Sequence, residues 1–233
     1  MSGRSPRWFT GIKYPYEANF ADNTWAQIIE ACQKKRIPPT WKVANQKAMT
    51  INGTDYFIDI IGFDHDEYTD GSGKAPITFQ MHDCYGTRYA MNAENTNVGG
   101  WASSAMRNTH LPAIMALMPA EVQAAVRTVN KKSNTGGKST TIETTACSLF
   151  LLAESEVFAE RTESADGEGT CYRYYATGGN RIKKVDGTAV YWFERGSAID
   201  IGGSSAFCAV STKGVASFYG ASTVLGVSFA FCF

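Results

Sequence analysis

The sequence predicts a mixed α+β fold, and local periodicity carries this prediction. Strand-like alternation and hairpin turns occur in the same chain as an amphipathic helix, so periodicity alone gives the class α+β. The chain has 233 residues, of which 44% are hydrophobic, and this is enough to bury a substantial core. We therefore expect one main domain, in which short helices pack on small antiparallel sheets and much of the chain is irregular.

The N-terminal part, residues 1–45, is predicted to be an extension that contains one amphipathic helix. Residues 1–21 are aromatic and proline-bearing without periodicity, and they fit either a docking arm or a packed extension. Thr24 and Gln27 have the spacing of a capping box, which predicts a helix that runs to about Lys34. Its apolar face has the spacing i, i+3, i+4, i+7 and consists of Trp25, Ile28, Ile29 and Cys32.

Two Xaa-Gly turns predict hairpins. Asn52-Gly53 supplies the positive φ values of a type I′ turn, so residues 48–51 and 56–63 are predicted to pair. Asp186-Gly187 predicts a second hairpin turn that leads to a strand at Tyr191. Residues 77–81 are apolar and predict a further strand.

The middle of the chain predicts short helices. Residues 101–107 and 111–118 are expected to form two of them, with their Met and Leu side chains turned inward. Pro119 suits the first position of a helical turn that runs to about Ala125. Residues 126–129 then pass into a strand.

The polar stretch 131–145 is predicted to be a surface loop. It contains Gly137-Lys138-Ser139-Thr140, but the first glycine of a phosphate-binding loop would fall at Lys132, so nucleotide binding is rejected. Residues 148–153 fit either a buried strand or the start of a helix, and residues 165–169 read as a loop tip.

Charge and hydropathy limit the partners. Lys plus Arg and Asp plus Glu are equal at 22 each, so the positive field that favours nucleic acid or anionic membranes is absent. No apolar run approaches the roughly 18 residues that a transmembrane helix needs. Residues 1–7 lead into no hydrophobic signal segment. We expect no nucleic-acid partner, no membrane insertion and no ordinary export leader.

The residues that usually carry chemistry are scattered. Asp64-His65-Asp66-Glu67 and Asp70-Gly71 form an acidic cluster without the full ligand set of an EF-hand, and a solvated loop that holds no metal is the preferred interpretation. Histidine occurs at positions 65, 82 and 110, and none lies beside an obvious nucleophile, so no catalytic residue, cofactor or enzymatic activity is predicted.

The six cysteines have no Cys-x-x-Cys spacing, so a zinc site is not expected. Two interpretations stay open: a disulfide, for which Cys208 and Cys232 are the first choice, or buried free thiols, which fit synthesis in the cytoplasm better.

Residues 191–233 are predicted to be a display surface framed by aromatic anchors. The closing segment alternates Val227, Phe229, Phe231 and Phe233 with small residues, which predicts a half-buried strand. The opening segment, Tyr191-Trp192-Phe193-Glu194-Arg195, is either an ordinary aromatic strand or one whose Glu194 and Arg195 pair, or bind backbone in the loop that follows. Between them, apolar residues in a Gly/Ser/Ala frame indicate either irregular burial or a contact surface.

The C-terminal residues resemble the variable region of proteins diversified by diversity-generating retroelements. The resemblance rests on the opening segment and on four further motifs: Phe207-Cys208, Gly214 with Ala216, Ala221-Ser222, and Gly226-Val227-Ser228-Phe229-Ala230-Phe231-Cys232. It extends upstream to Thr24-Trp25-Ala26-Gln27, to Ile58-Asp59-Ile60-Ile61-Gly62, and from Gly99-Gly100-Trp101 to His110-Leu111-Pro112. It departs from that pattern at Gly196-Ser197, where such proteins often have Ser-Pro, and the loop to Phe207 is slightly longer.

This resemblance implies a C-type-lectin-type fold, related to formylglycine-generating enzymes, over residues 46–233. It implies a phage receptor-binding protein of a tail tip or fibre, present in the virion, whose partners are a protein or glycan receptor on the bacterial host and other tail proteins, with a homotrimer as one option. The diversified positions are those reachable by replacing adenine in asparagine codons: Ile199, Asp200, Gly202, Gly203, Ser204, Ser205, Ala206, Ala209, Ser211, Val215, Ser217, Phe218, Tyr219, Gly220, Thr223 and Leu225. Two alternatives stay open, an oxidoreductase of the formylglycine-generating type and a structural virion protein without a ligand.

Overall fold

Short helices and small antiparallel sheets make up the structure, a computed structural model that describes residues 14–200 and 203–233. The helices are α1 (Trp25–Gln33), α2 (Gly100–Ser103), α3 (Leu111–Met115), α4 (Ala120–Ala125), α5 (Glu154–Phe158) and α6 (Arg173–Ala176). The strands are β1 (Gln46–Ile51), β2 (Thr54–Phe63), β3 (Ile77–Met81), β4 (Val129–Asn134), β5 (Ile142–Cys147), β6 (Lys183–Val185), β7 (Thr188–Val190), β8 (Trp192–Ser197), β9 (Ala206–Val210), β10 (Ala216–Gly220) and β11 (Ala230–Cys232). The predicted class, mixed α+β, is confirmed.

Helix α1 begins as its sequence predicts. The Thr24 hydroxyl accepts a hydrogen bond from the Gln27 backbone N–H, and the Gln27 side chain accepts one from the Thr24 N–H. Trp25 lies in the main core and its indole N–H donates to the Ala48 carbonyl at 3.0 Å. Phe20 joins the same core, so the described part of the N-terminal extension is packed; residues 1–13 lie outside the described residues.

The main sheet has the strand order β1-β2-β3-β11, and every pair in it is antiparallel. The hairpin of β1 and β2 confirms the Asn52-Gly53 prediction, because φ is 50° at Asn52 and 78° at Gly53. β11 brings the C-terminus back beside β3, with Phe231 opposite Phe79. The last strand was expected to be half-buried; that was wrong, because residues 227–233 are buried on both faces between this sheet and the rest of the core.

A second sheet, of order β10-β9-β8, carries most of the segment predicted to be displayed. β9 is its central strand and pairs antiparallel with both neighbours. Residues on β9 alternate between two clusters: Phe207 and Ala209 pack in the main core, whereas Ala206 and Cys208 pack with Ala198 in a small separate cluster. The hairpin of β6 and β7 precedes this sheet and confirms the predicted Asp186-Gly187 turn.

The stretch 131–145 is not the predicted surface loop. Residues 129–134 and 142–147 form the antiparallel hairpin of β4 and β5. The polar residues Lys131, Ser133 and Asn134 are buried in it, and the side chains of Lys131 and Asn134 have polar partners inside the protein. Alternation of apolar with polar residues is what predicts a half-buried strand. The buried positions here are themselves polar, so the sequence shows no such alternation.

The helical middle of the chain is shorter and less regular than predicted. α2 ends at Ser103, and a single π-helical turn, Met106–His110, connects it to α3, which ends at Met115. α4 confirms the predicted helical turn after Pro119. Residues 148–153 form neither a strand nor a helix, although Phe150 pairs with Ala230 through two backbone hydrogen bonds. Among the described residues, no helix has the length and apolar character needed to cross a bilayer.

Candidate ligand-binding surface

The hairpin of β9 and β10 forms the centre of the candidate surface. Phe218 lies opposite Cys208 in the register, and Tyr219 lies opposite Phe207. The connection folds around Ser211, whose hydroxyl accepts hydrogen bonds from the N–H groups of Lys213 and Val215. Gly214 adopts φ 73° in this turn, a region that favours glycine. The hairpin is therefore closed by its own polar contacts.

Most of the predicted contact residues reach solvent. Val215 is 56% exposed at the hairpin tip. Ten further predicted contact residues are exposed or half-buried: Ile199, Asp200, Gly203, Ser204, Ser205, Ser217, Phe218, Tyr219, Gly220 and Thr223. We call these ten residues and Val215 the display surface. Gly202 lies outside the described residues.

Four predicted contact residues do not belong to the display surface because they are buried. Ala206 and Ala209 lie on β9, whose five residues are all buried because the main core packs on one face of the strand and the small cluster of Ala198, Ala206 and Cys208 on the other. Ser211 holds the hairpin turn together, as described above. Leu225 exchanges two backbone hydrogen bonds with Tyr89, each of 3.1 Å. The codon criterion selects residue types and carries no information on burial, so it includes these positions.

The aromatic anchors of the frame lie in the core. Trp192 is fully buried and its indole N–H donates to the Arg181 carbonyl at 2.9 Å. Phe231 is fully buried and stacks against Phe79 with ring centroids 5.4 Å apart. Tyr191 contacts the display surface directly, because its ring meets that of Tyr219 edge to face at 4.8 Å. The frame and the display surface are therefore adjacent layers of one packed unit.

Asn97 is hydrogen-bonded to the segment of residues 203–206, where the display surface begins. Its side-chain amide donates to the carbonyls of Gly203 at 3.1 Å and Ala206 at 2.7 Å. Its side-chain oxygen accepts from the Gly137 N–H at 2.9 Å, and its own N–H donates to the Ser204 carbonyl at 2.8 Å. Asn97 is fully buried, so these contacts are sheltered from water. A lone asparagine in a polar loop gives no sequence signal for such a role.

Asp66, Lys131, Glu156 and Arg195 form a buried ion network, which includes Arg195 of the second sheet. Lys131 Nζ lies 2.7 Å from Asp66 Oδ1 and 2.7 Å from Glu156 Oε1, and it also donates to the Tyr172 hydroxyl at 3.0 Å. Arg195 binds the same Glu156 carboxylate through both of its terminal nitrogens. Burial by itself would raise the pKa of Asp66, but Lys131 and the Thr78 hydroxyl reverse the effect and lower it to about 2.

This network corrects two predictions. The interpretation of residues 64–70 as a solvated loop is wrong for Asp66. Its carboxylate is buried and forms an ion pair with Lys131 of β4. The alternative in which Glu194 and Arg195 pair, or bind backbone in the loop that follows, is wrong, because the carboxylate oxygens of Glu194 have no hydrogen-bond partner among the described residues and Arg195 binds elsewhere. Arg195 pairs with Glu156, far away in the sequence, and donates to the carbonyls of Lys132, Leu151 and Glu168.

His65, Asp66 and Glu156 have the spacing of a metal site, since one ligand atom of each lies within 4.8 Å of the others. The ammonium group of Lys131 already bridges the two carboxylates at 2.7 Å. His65 stacks on the Tyr172 ring with centroids 3.9 Å apart, and burial lowers its pKa. The charges here are balanced by protein groups, so these residues form a structural ion network.

The six cysteines all lie within the described residues and all are free thiols, five of them buried, which confirms the second of the two interpretations. Cys208 packs with Ala198 and Ala206, whereas the Cys232 thiol faces Asp66 and Thr78. Burial raises the pKa of both thiols well above the usual value. At neutral pH both are therefore neutral and poorly reactive.

Fold and site together define an α+β domain that carries a half-exposed hairpin on a deeply buried aromatic frame. The chain belongs to the family described as Domain of unknown function (DUF6273), which matches residues 77–233. That range includes the second sheet, the display surface and the Lys131, Glu156 and Arg195 members of the ion network, whereas Asp66 lies before it. Comparison with curated proteins and with solved structures gave no match.

Proposed function

We propose that this chain is a phage receptor-binding protein, carried at a tail tip or fibre, that presents the display surface to a receptor on a bacterial host. The receptor is a protein or a glycan, and other tail proteins hold the chain in the virion. The variable residues would be supplied by a diversity-generating retroelement, and the domain would have a C-type-lectin-type fold.

The observation that carries the proposal is the division of residues 191–233 into two sets. Apart from half-buried Tyr191, the large aromatic side chains of the frame are buried, whereas the residues that the retroelement resemblance marks as variable are mostly exposed or half-buried. Substitution of surface residues usually changes stability by less than about 0.5 kcal/mol. Sequence variation at these positions is therefore compatible with a constant fold.

The chemistry of the display surface suits recognition. Phe218 and Tyr219 offer large, half-exposed rings, and aromatic residues dominate the binding energy of many interfaces. Ser204, Ser217 and Thr223 offer small hydroxyl groups that adapt to different partners, as in antibody loops. Val224, which is 56% exposed, adds apolar area at the edge of the same region.

The alternative of a formylglycine-generating oxidoreductase needs a reactive cysteine pair in a cleft. Cys208 and Cys232 are both fully buried, they lie in different clusters, and their thiol pKa values are raised, which weighs against this activity. A structural virion protein without a ligand differs from a receptor-binding protein in one measurable property, which is binding to host cells.

Two experiments test the proposal. The DNA around the gene should contain a reverse-transcriptase gene and a template repeat that matches the codons of residues 191–233, with adenines at the variable positions; their absence would contradict diversification. The purified chain should adsorb saturably to cells of the bacterial host of the encoding phage, and an absence of adsorption would favour the structural alternative.

A further inference from the structure

β10 lies at the edge of the second sheet. The sheet has the order β10-β9-β8, and β9 is the one strand that pairs with β10 in the described part of the chain. All five residues of β10, Ala216–Gly220, are half-buried. The edge of a sheet presents a row of backbone N–H and C=O groups that can pair with another extended chain. The outer side of β10 is therefore a place where such a chain could add.

The hydrogen bonds of the hairpin show which groups of β10 face β9. The Ser211 N–H donates to the Val215 carbonyl at 2.9 Å, and the Ala221 N–H donates to the Ser205 carbonyl at 2.7 Å. These two hydrogen-bonded pairs lie just beyond the two ends of β10. Hydrogen-bonded pairs alternate with non-hydrogen-bonded pairs along antiparallel strands. Every second residue from Val215 to Ala221 therefore turns its N–H and C=O groups towards β9.

The residues between them turn the same groups towards the outer side. These residues are Ala216, Phe218 and Gly220. The Gly220 carbonyl accepts the Thr223 N–H at 2.9 Å. The three outward N–H groups and the carbonyls of Ala216 and Phe218 have no hydrogen-bond partner among residues 14–200 and 203–233. The open side of β10 thus offers donors and acceptors at regular spacing.

On two other terminal strands, backbone from elsewhere in the chain covers the outer side. The Arg195 N–H of β8 donates to the Leu152 carbonyl at 2.8 Å, and Ala230 of β11 exchanges two hydrogen bonds with Phe150. Proteins also protect sheet edges with charged residues or proline. Residues 216–220 contain neither. β10 therefore lacks both kinds of protection in the described structure.

Side-chain contacts hold β10 in its extended form. Phe218 packs against the small cluster that contains Cys208, on one face of the sheet. On the other face, the Tyr219 ring meets that of Tyr191 at 4.8 Å. A strand fixed in this way loses little conformational entropy when a partner binds, and such preorganisation favours affinity.

We propose that the open edge of β10 takes an extended segment of a protein receptor, which adds to the second sheet as a fourth strand. This inference rests on the proposed receptor-binding function and names the receptor as a protein. Outward backbone groups repeat along a strand at about 7 Å, and an extended polypeptide carries the matching row, whereas a glycan does not. The side chains of β10 are uncharged, so the segment that fits beside them is uncharged and rich in β-branched or aromatic residues.

Pairing through the backbone suits a surface whose side chains vary. Hydrogen bonds between main chains do not depend on which side chain a position carries. Ser217, Phe218 and Tyr219 point alternately to the two faces of the sheet, where they would meet the side chains of the added strand. In this mode of recognition the main chain supplies affinity and the side chains supply specificity.

The test measures adsorption of the purified full chain to host cells, before and after the cells are treated with protease. Ala216→Pro removes an outward N–H and leaves the groups that face β9 in place. Proline is tolerated on an edge strand where the N–H would face solvent. Ala216→Ser is the matched control, because it changes the side chain and keeps the N–H. Phe218→Pro and Phe218→Ala form a second pair of the same design. Thermal unfolding and the size of each variant in solution are measured alongside.

We expect the wild type to be monomeric and to adsorb saturably to intact cells, and protease treatment of the cells should abolish this adsorption. Each proline variant should fold and should adsorb at least about tenfold more weakly than its control. Folded proline variants that adsorb as well as their controls would overturn the edge inference, while the adsorption itself would still support the proposed function. Adsorption that survives protease treatment would point to a glycan and would also overturn the inference.

Three further outcomes decide against the open edge of β10. Unfolding of both proline variants would show that the outward N–H groups are already used inside the protein. An oligomeric wild type that becomes monomeric in Ala216→Pro would show that a second copy of the chain occupies the edge. A wild type that does not adsorb to host cells at all would contradict the proposed function, and the edge inference with it.

Discussion

Arg195 and Glu156 form a doubly hydrogen-bonded ion pair in the protein interior, with Nη1 2.5 Å from Oε2 and Nη2 3.0 Å from Oε1. The pair connects β8 to α5. Glu156 extends it to β4 through Lys131, and to the start of its own helix through the Ala153 N–H, which donates to Oε2 at 3.0 Å. The ion network thus links β8, α5 and β4 inside the protein.

The first prediction concerns this pair. Arg195→Met keeps the length of the side chain but leaves Glu156 with Lys131 as its one cation, so we expect a loss of about 3 to 5 kcal/mol in the free energy of unfolding. Urea denaturation measures this loss. Arg161→Met is the control, since the pair of Arg161 with Asp166 lies at the surface and should contribute less than about 1 kcal/mol. Equal losses in the two variants would contradict the structural role of the network.

The aromatic frame supplies the second prediction. Trp192→Ala and Phe231→Ala each remove a fully buried ring, and each should lower the free energy of unfolding by about 3 to 5 kcal/mol. Phe57→Ala on β2 is the matched control, because this ring is 57% exposed and its removal should cost less than about 1 kcal/mol. Unchanged melting temperatures in both frame variants would show that these rings are not anchors.

The third prediction concerns acid stability. The folded-state pKa of Asp66, about 2, lies below the usual value of 3.8, so its contribution is fully present above pH 3.8 and is lost as the pH falls towards 2. The difference corresponds to about 2 kcal/mol. Stability measured across this range should fall less steeply in Asp66→Asn than in the wild type. Asp70→Asn is the control; Asp70 is exposed, and its removal should leave most of the slope in place. Identical slopes in the wild type and Asp66→Asn would refute the assignment.

Asn97 provides the fourth prediction. Asn97→Ala removes three side-chain hydrogen bonds from a buried position, so we expect a loss of about 2 kcal/mol or more in stability. Hydrogen exchange should accelerate at residues 203–206 in this variant. Asn95→Ala, at an exposed position, serves as the control and should change neither quantity. Unaltered exchange at residues 203–206 would mean that Asn97 does not fasten the display surface.

Local signals made part of the fold predictable. The capping box at Thr24 and the turns at Asn52-Gly53 and Asp186-Gly187 depend on neighbouring residues alone, and each is present where the sequence indicated. The hairpin of β4 and β5 was missed because Lys131 is buried by partners that come from elsewhere in the chain. Ion pairing over long sequence separations leaves no periodic pattern.

The candidate surface, like the fold, was only partly predictable from the sequence. The codon criterion selected residues on the hairpin of β9 and β10, but it did not separate exposed Val215 from buried Leu225. Burial of Leu225 follows from its pairing with Tyr89, more than a hundred residues earlier.

The most direct test of the account combines stability and binding in one set of variants. Residues Ser217, Phe218, Tyr219 and Thr223 are randomised, and each variant is assayed for thermal unfolding and for adsorption to host cells. We predict that most variants fold with stabilities within about 1 kcal/mol of the wild type, whereas Phe218→Ala or Tyr219→Ala weakens adsorption by on the order of 2 kcal/mol. Widespread unfolding would show that these residues are core, and folded variants that adsorb as well as the wild type would show that the receptor is recognised elsewhere on the chain.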